Sequence, residues 1–479
     1  MKNLLKSNVF AFVLIVIIQM VYKMIFLDYW GFWHDEAFSL YYSQQHWGHL
    51  KHISEWDINP PLYYYFLWIW QHLFGIGEYA IRFSSVLFSA LSAGMLYILC
   101  VKNFNYATGL IAVLFFTVCN DMYFYAHEAR PYTLIMFLVL CSSYFFLNML
   151  NKPGWVNAFI LGVLNFGLIY THYVCGIIIA VQIGVALIYF NKALLKFISI
   201  ALGITVLIAV LRFTKKTIAL VLHNEKSSFW IEKPTFHDLT DTLYSFFNGQ
   251  DLFYIFLFAA LIPLIIMVRA KTWKPVWAAN KMNLTYVLFS GAGALLICFL
   301  VSLFMPLFVR RYLLFTGPFI FIVIAHLISM ADKSISPPLL AIVGLFMIFS
   351  VMRINFHTPK SMDYRGAVYL VKALQKNNTP VLVETPDVGA LFSYYYDRSI
   401  FTDYGNIEGR LKDKGIYMVA NANDAKAVDL GKYNRIVLTQ TFEDVNPGDK
   451  ELLKYISVNY PQKVTTRFYR GITINVYSK

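Results

Sequence analysis

Charge is what this chain has least of. Only 14% of its 479 residues are charged, against about a quarter in an ordinary soluble domain. Acidic residues are scarcer than basic ones, with 27 Asp and Glu against 40 Lys and Arg. Hydrophobic residues reach 58%, more than a water-facing surface of this size can hide, so a soluble globular protein is excluded. Cysteine is sparse too. Cys100, Cys119, Cys141, Cys175 and Cys298 all lie inside apolar runs, odd in number and without zinc spacing. They read as small buried residues, not as a disulfide framework or a metal site. Neither a Gly-x-Gly-x-x-Gly turn nor a Walker-type loop is present, and there are no internal repeats or low-complexity tracts.

What is there is a series of apolar runs. They fall near 8–27, 81–101, 107–120, 133–150, 156–170, 174–190, 195–213, 251–269, 283–304, 312–330 and 338–354, which predicts about eleven transmembrane helices. Lys2 and Lys6 precede the first run as in a signal peptide, but that run is long and lacks a small-residue cleavage site, so an uncleaved first span is expected. The formal charge of +13 could point to nucleic acid. The basic residues sit instead in short segments between runs, so no nucleic-acid partner is expected. With the N-terminus inside, the inner connections carry Lys102, Lys152, Lys192, Lys196, Arg269, Lys271, Lys274, Lys281 and Lys333, as the positive-inside rule asks. One outer segment dissents, holding Lys215, Lys216, Lys226 and Lys233; outward-facing cations there could meet anionic headgroups.

From about 356 the composition changes. Residues 1–355 read as a transmembrane module with an outer loop at 28–80, and 356–479 as a small α/β domain on the outer face. In the latter, helices are predicted over 363–376 and 450–458, short buried strands over 380–384 and 435–438, and a strand pair over 465–477 about Arg470-Gly471.

Polar motifs punctuate the span ends. Trp33-His34-Asp35-Glu36-Ala37 follows the first run, and a carboxylate pair wrapped in aromatics belongs at the membrane rim, because each would cost about 2.5–3.5 kcal/mol at the bilayer centre. Asn59-Pro60-Pro61 is turn chemistry. It precedes an aromatic helix from Leu62 to Phe74 that includes Tyr63, Tyr64, Tyr65, Trp68 and Trp70 and suits the headgroup level. The third span ends at His127-Glu128-Ala129-Arg130-Pro131-Tyr132, the fifth at Tyr170-Thr171-His172-Tyr173, and the tenth begins at Arg310-Arg311-Tyr312. In this topology all of them share one side with Asp35 and Glu36. Each has a plainer reading: snorkelling or lipid anchoring for the arginines, packing for the histidines, membrane anchoring for the aromatics. A metal site on His34, Asp35 and Glu36 with His46, His49 or His52 lacks regular ligand spacing. A divalent ion is compatible with these residue types, but no cofactor is indicated.

A carboxylate and guanidinium groups at a membrane rim suit one chemistry: proton removal from an acceptor hydroxyl and stabilisation of a departing phosphate. Arginine grips phosphate with a bidentate fork that lysine lacks. Without a nucleotide fingerprint, the activated donor would be embedded in the lipid.

The Asp35-Glu36-Ala37, Asn59-Pro60-Pro61-Leu62-Tyr63 and Glu128-Ala129-Arg130-Pro131-Tyr132 motifs resemble those of the bacterial protein-mannosyltransferase-like family. Tyr170-Thr171-His172-Tyr173, Arg311-Tyr312-Leu313 and Asp363-Tyr364-Arg365-Gly366-Ala367 fit the same pattern in order, so the resemblance runs from Val9 to about Tyr396. That family comprises membrane glycosyltransferases of the GT-C fold, related to aminoarabinose transferase and to family 39 enzymes. The resemblance implies inverting transfer of a sugar from a polyprenyl-phosphate carrier to a hydroxyl of a glycolipid, polysaccharide or protein. The implied setting is a multi-pass protein of the cytoplasmic (inner) membrane, with site and C-terminal domain on the extracytoplasmic side. Asp35 then matches the base, with Glu36 as its neighbour, and Arg130 the arginine near the carrier phosphate. Arg310 and Arg311 are further phosphate candidates, and Tyr63, His127, Glu128, Tyr132 and His172 are pocket candidates. Many relatives have His before the Pro-Pro pair where this chain has Asn59, which leaves a ligand role there unsupported. A lipid-linked sugar flippase is the alternative. It would call for charged or broken helices near the midplane, often in paired halves.

Overall fold

The computed structural model describes residues 2–55, 59–214, 231–305, 307–331, 335–357, 362–375, 379–384, 386–441, 447–469 and 471–479. Lys215, Lys216, Lys226, Lys333, Lys376 and Arg470 lie outside the described residues. The chain divides into two compact units.

The first unit comprises Met1–Leu27, Lys51–Phe66 and Ala80–Phe356. Each of the eleven apolar runs is helical. Among the described residues, seven helices are long and apolar enough to cross a membrane, an eighth span arises if a bent pair counts as one, and three shorter apolar helices accompany them: Trp155–Ile169, Tyr173–Ile188 and Ser336–Met352. The protein is a multi-pass membrane protein by this construction. Between apolar helices in lipid, burial of greasy surface gives little preference, so close backbone approach and polar contacts must hold the bundle. Both are present. The helix Trp155–Ile169 meets Lys192–Arg212 at Gly162, where a Cβ would lie 2.7 Å from the Ala201 carbonyl oxygen, and Thr205 Oγ1 donates to the Gly162 carbonyl at 3.0 Å. Three helices are tied by a closed ring of hydrogen bonds. Ser142 Oγ donates to Asn165 Oδ1 (2.7 Å), Asn165 Nδ2 to Gln182 Oε1 (2.9 Å), and Gln182 Nε2 to Ser142 Oγ (2.8 Å).

Tyr106–Val118 breaks by 69° into Asn120–His127, and a break inside a membrane frees backbone groups that lipid cannot satisfy. Asn248 satisfies them. Its Oδ1 accepts from the Asn120 N–H at 2.7 Å, and its Nδ2 donates to the carbonyls of Val118 (2.7 Å) and Ser350 (3.0 Å). Asn248 itself stands at φ 59°, a left-handed conformation that asparagine tolerates better than most residues.

The second unit joins Asp28–Leu50 and Leu67–Tyr79 to His357–Lys479. Its sheet has five strands in the order β2-β1-β3-β5-β4, where β1 is Val381–Glu384, β2 Ile416–Val419, β3 Arg435–Thr441, β4 Gln462–Tyr469 and β5 Ile472–Ser478. The first three strands pair in parallel and β4 and β5 add antiparallel. β1 is buried along its whole length, as a parallel strand covered on both faces should be. The helix Tyr364–Leu374 is capped by Asp363, whose side chain accepts from the Gly366 N–H at 2.9 Å. Leu452, Ile456 and Tyr460 close the core against Leu382, Ile436 and Leu438.

Replacing Asn248 with Ala should destabilise the folded protein by about 1–3 kcal/mol, since the Asn120 N–H and Val118 carbonyl at the break and the Ser350 carbonyl on another helix lose their partner. Thermal unfolding in detergent reads the drop, and Asn248→Asp, which keeps only the acceptor, should fall between the two.

Candidate functional site

The acidic pair opens a short helix. Trp33 is extended and the helix runs His34–Tyr42, which puts both carboxylates in the first turn, where the helix dipole favours negative charge. Their environments differ. Glu36 is fully buried and its carboxylate accepts from the Trp33 N–H at 3.3 Å, the return contact from third position to cap. The Asp35 side chain keeps 25% of its surface exposed and has His34 Nδ1 at 3.6 Å. The other ring nitrogen of His34 lies 3.2 Å from the Asp387 carbonyl oxygen. With an acceptor at each nitrogen the imidazolium is favoured, and the hydrogen bond to Asp35 raises the His34 pKa against the opposing effect of burial. The geometry thus separates two neighbours: Glu36 is fully buried with its carboxylate on the Trp33 N–H, and the Asp35 side chain keeps part of its surface exposed.

A basic cluster is built in the first unit, from span ends. Arg130 follows a tight turn in which its N–H donates to the Glu128 carbonyl at 2.8 Å, and Pro131 then starts the helix Tyr132–Asn151. The Glu128 carbonyl also receives the Ser85 hydroxyl. Both Glu128 and Arg130 are buried, as is Tyr132. Arg311 comes from the 3-10 turn Arg310–Thr316, its guanidinium carbon 5.6 Å from the Tyr312 ring centre. Tyr312 links the cluster, with its ring 4.4 Å from His172 and 6.3 Å from Tyr132. His172 is held by the break between Trp155–Ile169 and the turn Tyr173–Cys175, its Nδ1 accepting from the Val174 N–H at 3.3 Å. That bond leaves the proton of the neutral ring on Nε2.

His172 reports what surrounds it. Its pKa falls from 6.5 to about 3, first because it is buried and then because Arg130 and Arg311 place positive charge beside it. Two guanidiniums from distant parts of the chain therefore act on one buried imidazole. Among the described residues the buried Tyr132 hydroxyl, which sits in the field of the same two arginines, has no hydrogen-bond partner.

The remaining predicted residues sit nearby in kind but not all in one place. Arg310 turns away from Arg311. It is half-exposed, with its Nε 3.9 Å from Asp121, whose carboxylate accepts from Ser245 Oγ at 2.7 Å. His127 is buried with its ring 4.3 Å from Tyr123. Tyr63 is buried on the helix Leu62–Phe74, whose first N–H donates to the Tyr170 carbonyl at 2.9 Å. Among the described residues, no group of three or more His, Cys, Asp or Glu could hold a metal ion.

Sequence reasoning passed over three charged residues. Lys23, inside the first span, is fully buried; its Nζ donates to Ser89 Oγ at 2.7 Å and lies 4.3 Å from the Phe116 ring centre. Arg82 is buried and donates to the Leu27 carbonyl at 3.2 Å. Glu78 receives Arg365 at 2.9 Å. A charge standing alone in an apolar run was the available signal for the first two. Glu78 has no local signal, since its partner is hundreds of residues away.

By architecture the chain is a polytopic helical membrane protein with a GT-C fold and a small C-terminal sheet domain. Residues 58–214 match the family model described as dolichyl-phosphate-mannose-protein mannosyltransferase, so the likeness seen in the motifs is found independently across that segment. No curated protein matches the chain. Among solved structures, ArnT from Cupriavidus metallidurans in the apo state superposes with a TM-score of 0.60 at 12% identity, covering 97% of each chain. The same protein bound to undecaprenyl phosphate gives 0.57, also at 12% identity and 97% of each chain. The oligosaccharyltransferase of Archaeoglobus fulgidus gives 0.52 at 11% identity, over 93% of this chain and 71% of that one. At such identities the likeness establishes the fold.

His172 gives a pH test. An unfolded chain protonates it below about pH 6.5, whereas the folded protein does so only near pH 3. The unfolded state therefore binds more protons across that window, and the stability contributed by the neutral ring is lost as pH falls through it. In His172→Gln, melting temperature should decline less steeply from pH 6.5 downward than in the parent protein.

Proposed function

We propose that the protein is a membrane glycosyltransferase that moves a sugar from a polyprenyl-phosphate carrier to a hydroxyl of a glycolipid, polysaccharide or protein, with inversion, on the extracytoplasmic side of the cytoplasmic membrane. The observation that carries this reading is a buried cluster in which Arg311 lies over the Tyr312 ring and that ring packs against His172 and against Tyr132, two positions after the buried Arg130. A phosphate there would accept from both guanidinium forks and from the Tyr132 hydroxyl. The GT-C fold and the ArnT structure with undecaprenyl phosphate bound support a lipid-linked phosphate in that role.

In this reading Asp35 takes the proton of the acceptor hydroxyl as its oxygen attacks the anomeric carbon. The bond from that carbon to the phosphate oxygen breaks, and its electron pair leaves with the phosphate. Arg130 and Arg311 stabilise the growing negative charge, which is worth most in a site that excludes water. His172, held neutral, adds no positive charge that would overbind the product phosphate; its Nε2–H is a donor. Glu36 fixes the start of the acidic helix and takes no proton.

Asp35→Asn should lower transfer from a purified polyprenyl-phosphate-linked sugar by about 10²–10⁴-fold, the usual weight of a general base, with an unchanged melting temperature. Full turnover by that variant would remove Asp35 from the role. Arg130→Lys should lose nearly as much activity as Arg130→Ala if a bidentate grip matters; a normal rate with Lys would mean that Arg130 serves only to anchor the span end.

A further inference from the structure

The second unit contains a charged cluster that none of the roles above uses. Arg365, on the helix Tyr364–Leu374, places Nη1 2.9 Å from Glu78 Oε2. The same guanidinium donates to the carbonyls of Asp28 (3.1 Å) and Tyr29 (2.5 Å). Glu78 Oε1 accepts from the Phe32 N–H at 3.3 Å and from the Tyr395 hydroxyl. The Phe32 N–H also reaches the Tyr395 oxygen at 2.5 Å. Gly31 is clasped so closely that a Cβ there would fall 2.9 Å from both Arg365 Cβ and the Tyr395 oxygen.

These contacts take hold of the backbone at residues 28, 29 and 32, and only Trp33 and His34 separate that grip from Asp35. The acidic helix is also fastened along its length. The Phe32 ring, fully buried, packs 5.1 Å from Tyr394. His34 lies against the Asp387 carbonyl, the Gly405 N–H donates to the Tyr41 hydroxyl at 2.8 Å, and Gln44 Nε2 donates to the Phe401 carbonyl at 3.3 Å. A surface ion pair would be worth little. Here the Arg365 and Glu78 side chains are 29% and 11% exposed, and each also bonds to backbone.

We propose that Glu78 and Arg365 are positioning residues for Asp35, and that the C-terminal α/β domain is the jig that sets the acidic helix. The inference rests on the reading of Asp35 as the base. Loosening the clasp moves the Asp35 carboxylate without touching any group that would hold the carrier. Misplacement by about 1 Å can cost about 100-fold in rate.

The test compares Arg365→Met, Arg365→Lys, Glu78→Leu and the Glu78→Leu/Arg365→Met double variant in the full-length protein. Transfer kinetics from a polyprenyl-phosphate-linked sugar are read together with hydrogen exchange of residues 33–42 and melting temperature. The expected result is a kcat lowered about 10- to 100-fold in Arg365→Met at nearly unchanged donor KM, with faster exchange confined to 33–42 and partial rescue by Lys. The double variant should be no worse than the poorer single one, because the two act as a unit. Wild-type kcat in Arg365→Met, or reduced kcat with unchanged exchange at 33–42, overturns the proposal. If Arg365→Met does not fold, Arg365→Lys and Tyr395→Phe decide by the same readouts. Absence of transfer by the parent protein from every lipid-linked sugar would refute the glycosyltransferase reading and with it the role assigned to Asp35. The exchange data would still show whether the clasp holds the helix.

Discussion

A guanidinium taken out of water must be answered by something, and that constraint organises this protein. Arg130 is buried at the turn between two apolar helices, and Arg311 acts on the same imidazole from a different part of the chain. Aromatic rings and a buried histidine surround it: Arg311 lies over the Tyr312 ring, which packs against His172 and Tyr132. The helices of the first unit break at the Glu128–Arg130 turn, at the interruption before Tyr173 and at the 69° bend. Irregular backbone at membrane depth is tolerated only where protein or a polar cavity satisfies it. Asn248 does so at the bend, so the position of the breaks and the position of the polar groups are one structural problem with one solution.

The acidic unit follows a complementary logic. Helix dipole, burial and a backbone bond fix Glu36, leaving Asp35 as the half-accessible carboxylate of the pair. The residues that hold this helix are Glu78 and side chains and carbonyls of the C-terminal domain, whose sheet is parallel on the β2-β1-β3 side and antiparallel on the β3-β5-β4 side.

Much of this could be read from the chain. Apolar runs fixed where the helices lie, because a bilayer demands length and greasiness, and both are local properties. In the C-terminal domain the helix over 363–376 and the strands near 380–384 and 435–438 were legible from periodicity, while β2 at Ile416–Val419 was not, being too short and too mixed in pattern to stand out. Arg130, Arg311, His172 and Tyr132 were all visible as polar punctuation at span ends. Their grouping around Tyr312, and the parting of Arg310 from Arg311 toward Asp121, were not. Two adjacent arginines look alike in sequence; a 3-10 turn sends them in different directions.

The sequence by itself determined that this is a membrane-embedded helical protein with polar motifs at span ends, since those are matters of composition and spacing. Only the tertiary structure decided which polar groups meet. Lys23 with Ser89, Asn248 with the broken helix, and Glu78 with Arg365 are pairings across 66, 130 and 287 positions. No local pattern encodes them, because the free energy that selects each partner comes from burying a charge or a backbone group that would otherwise go unanswered.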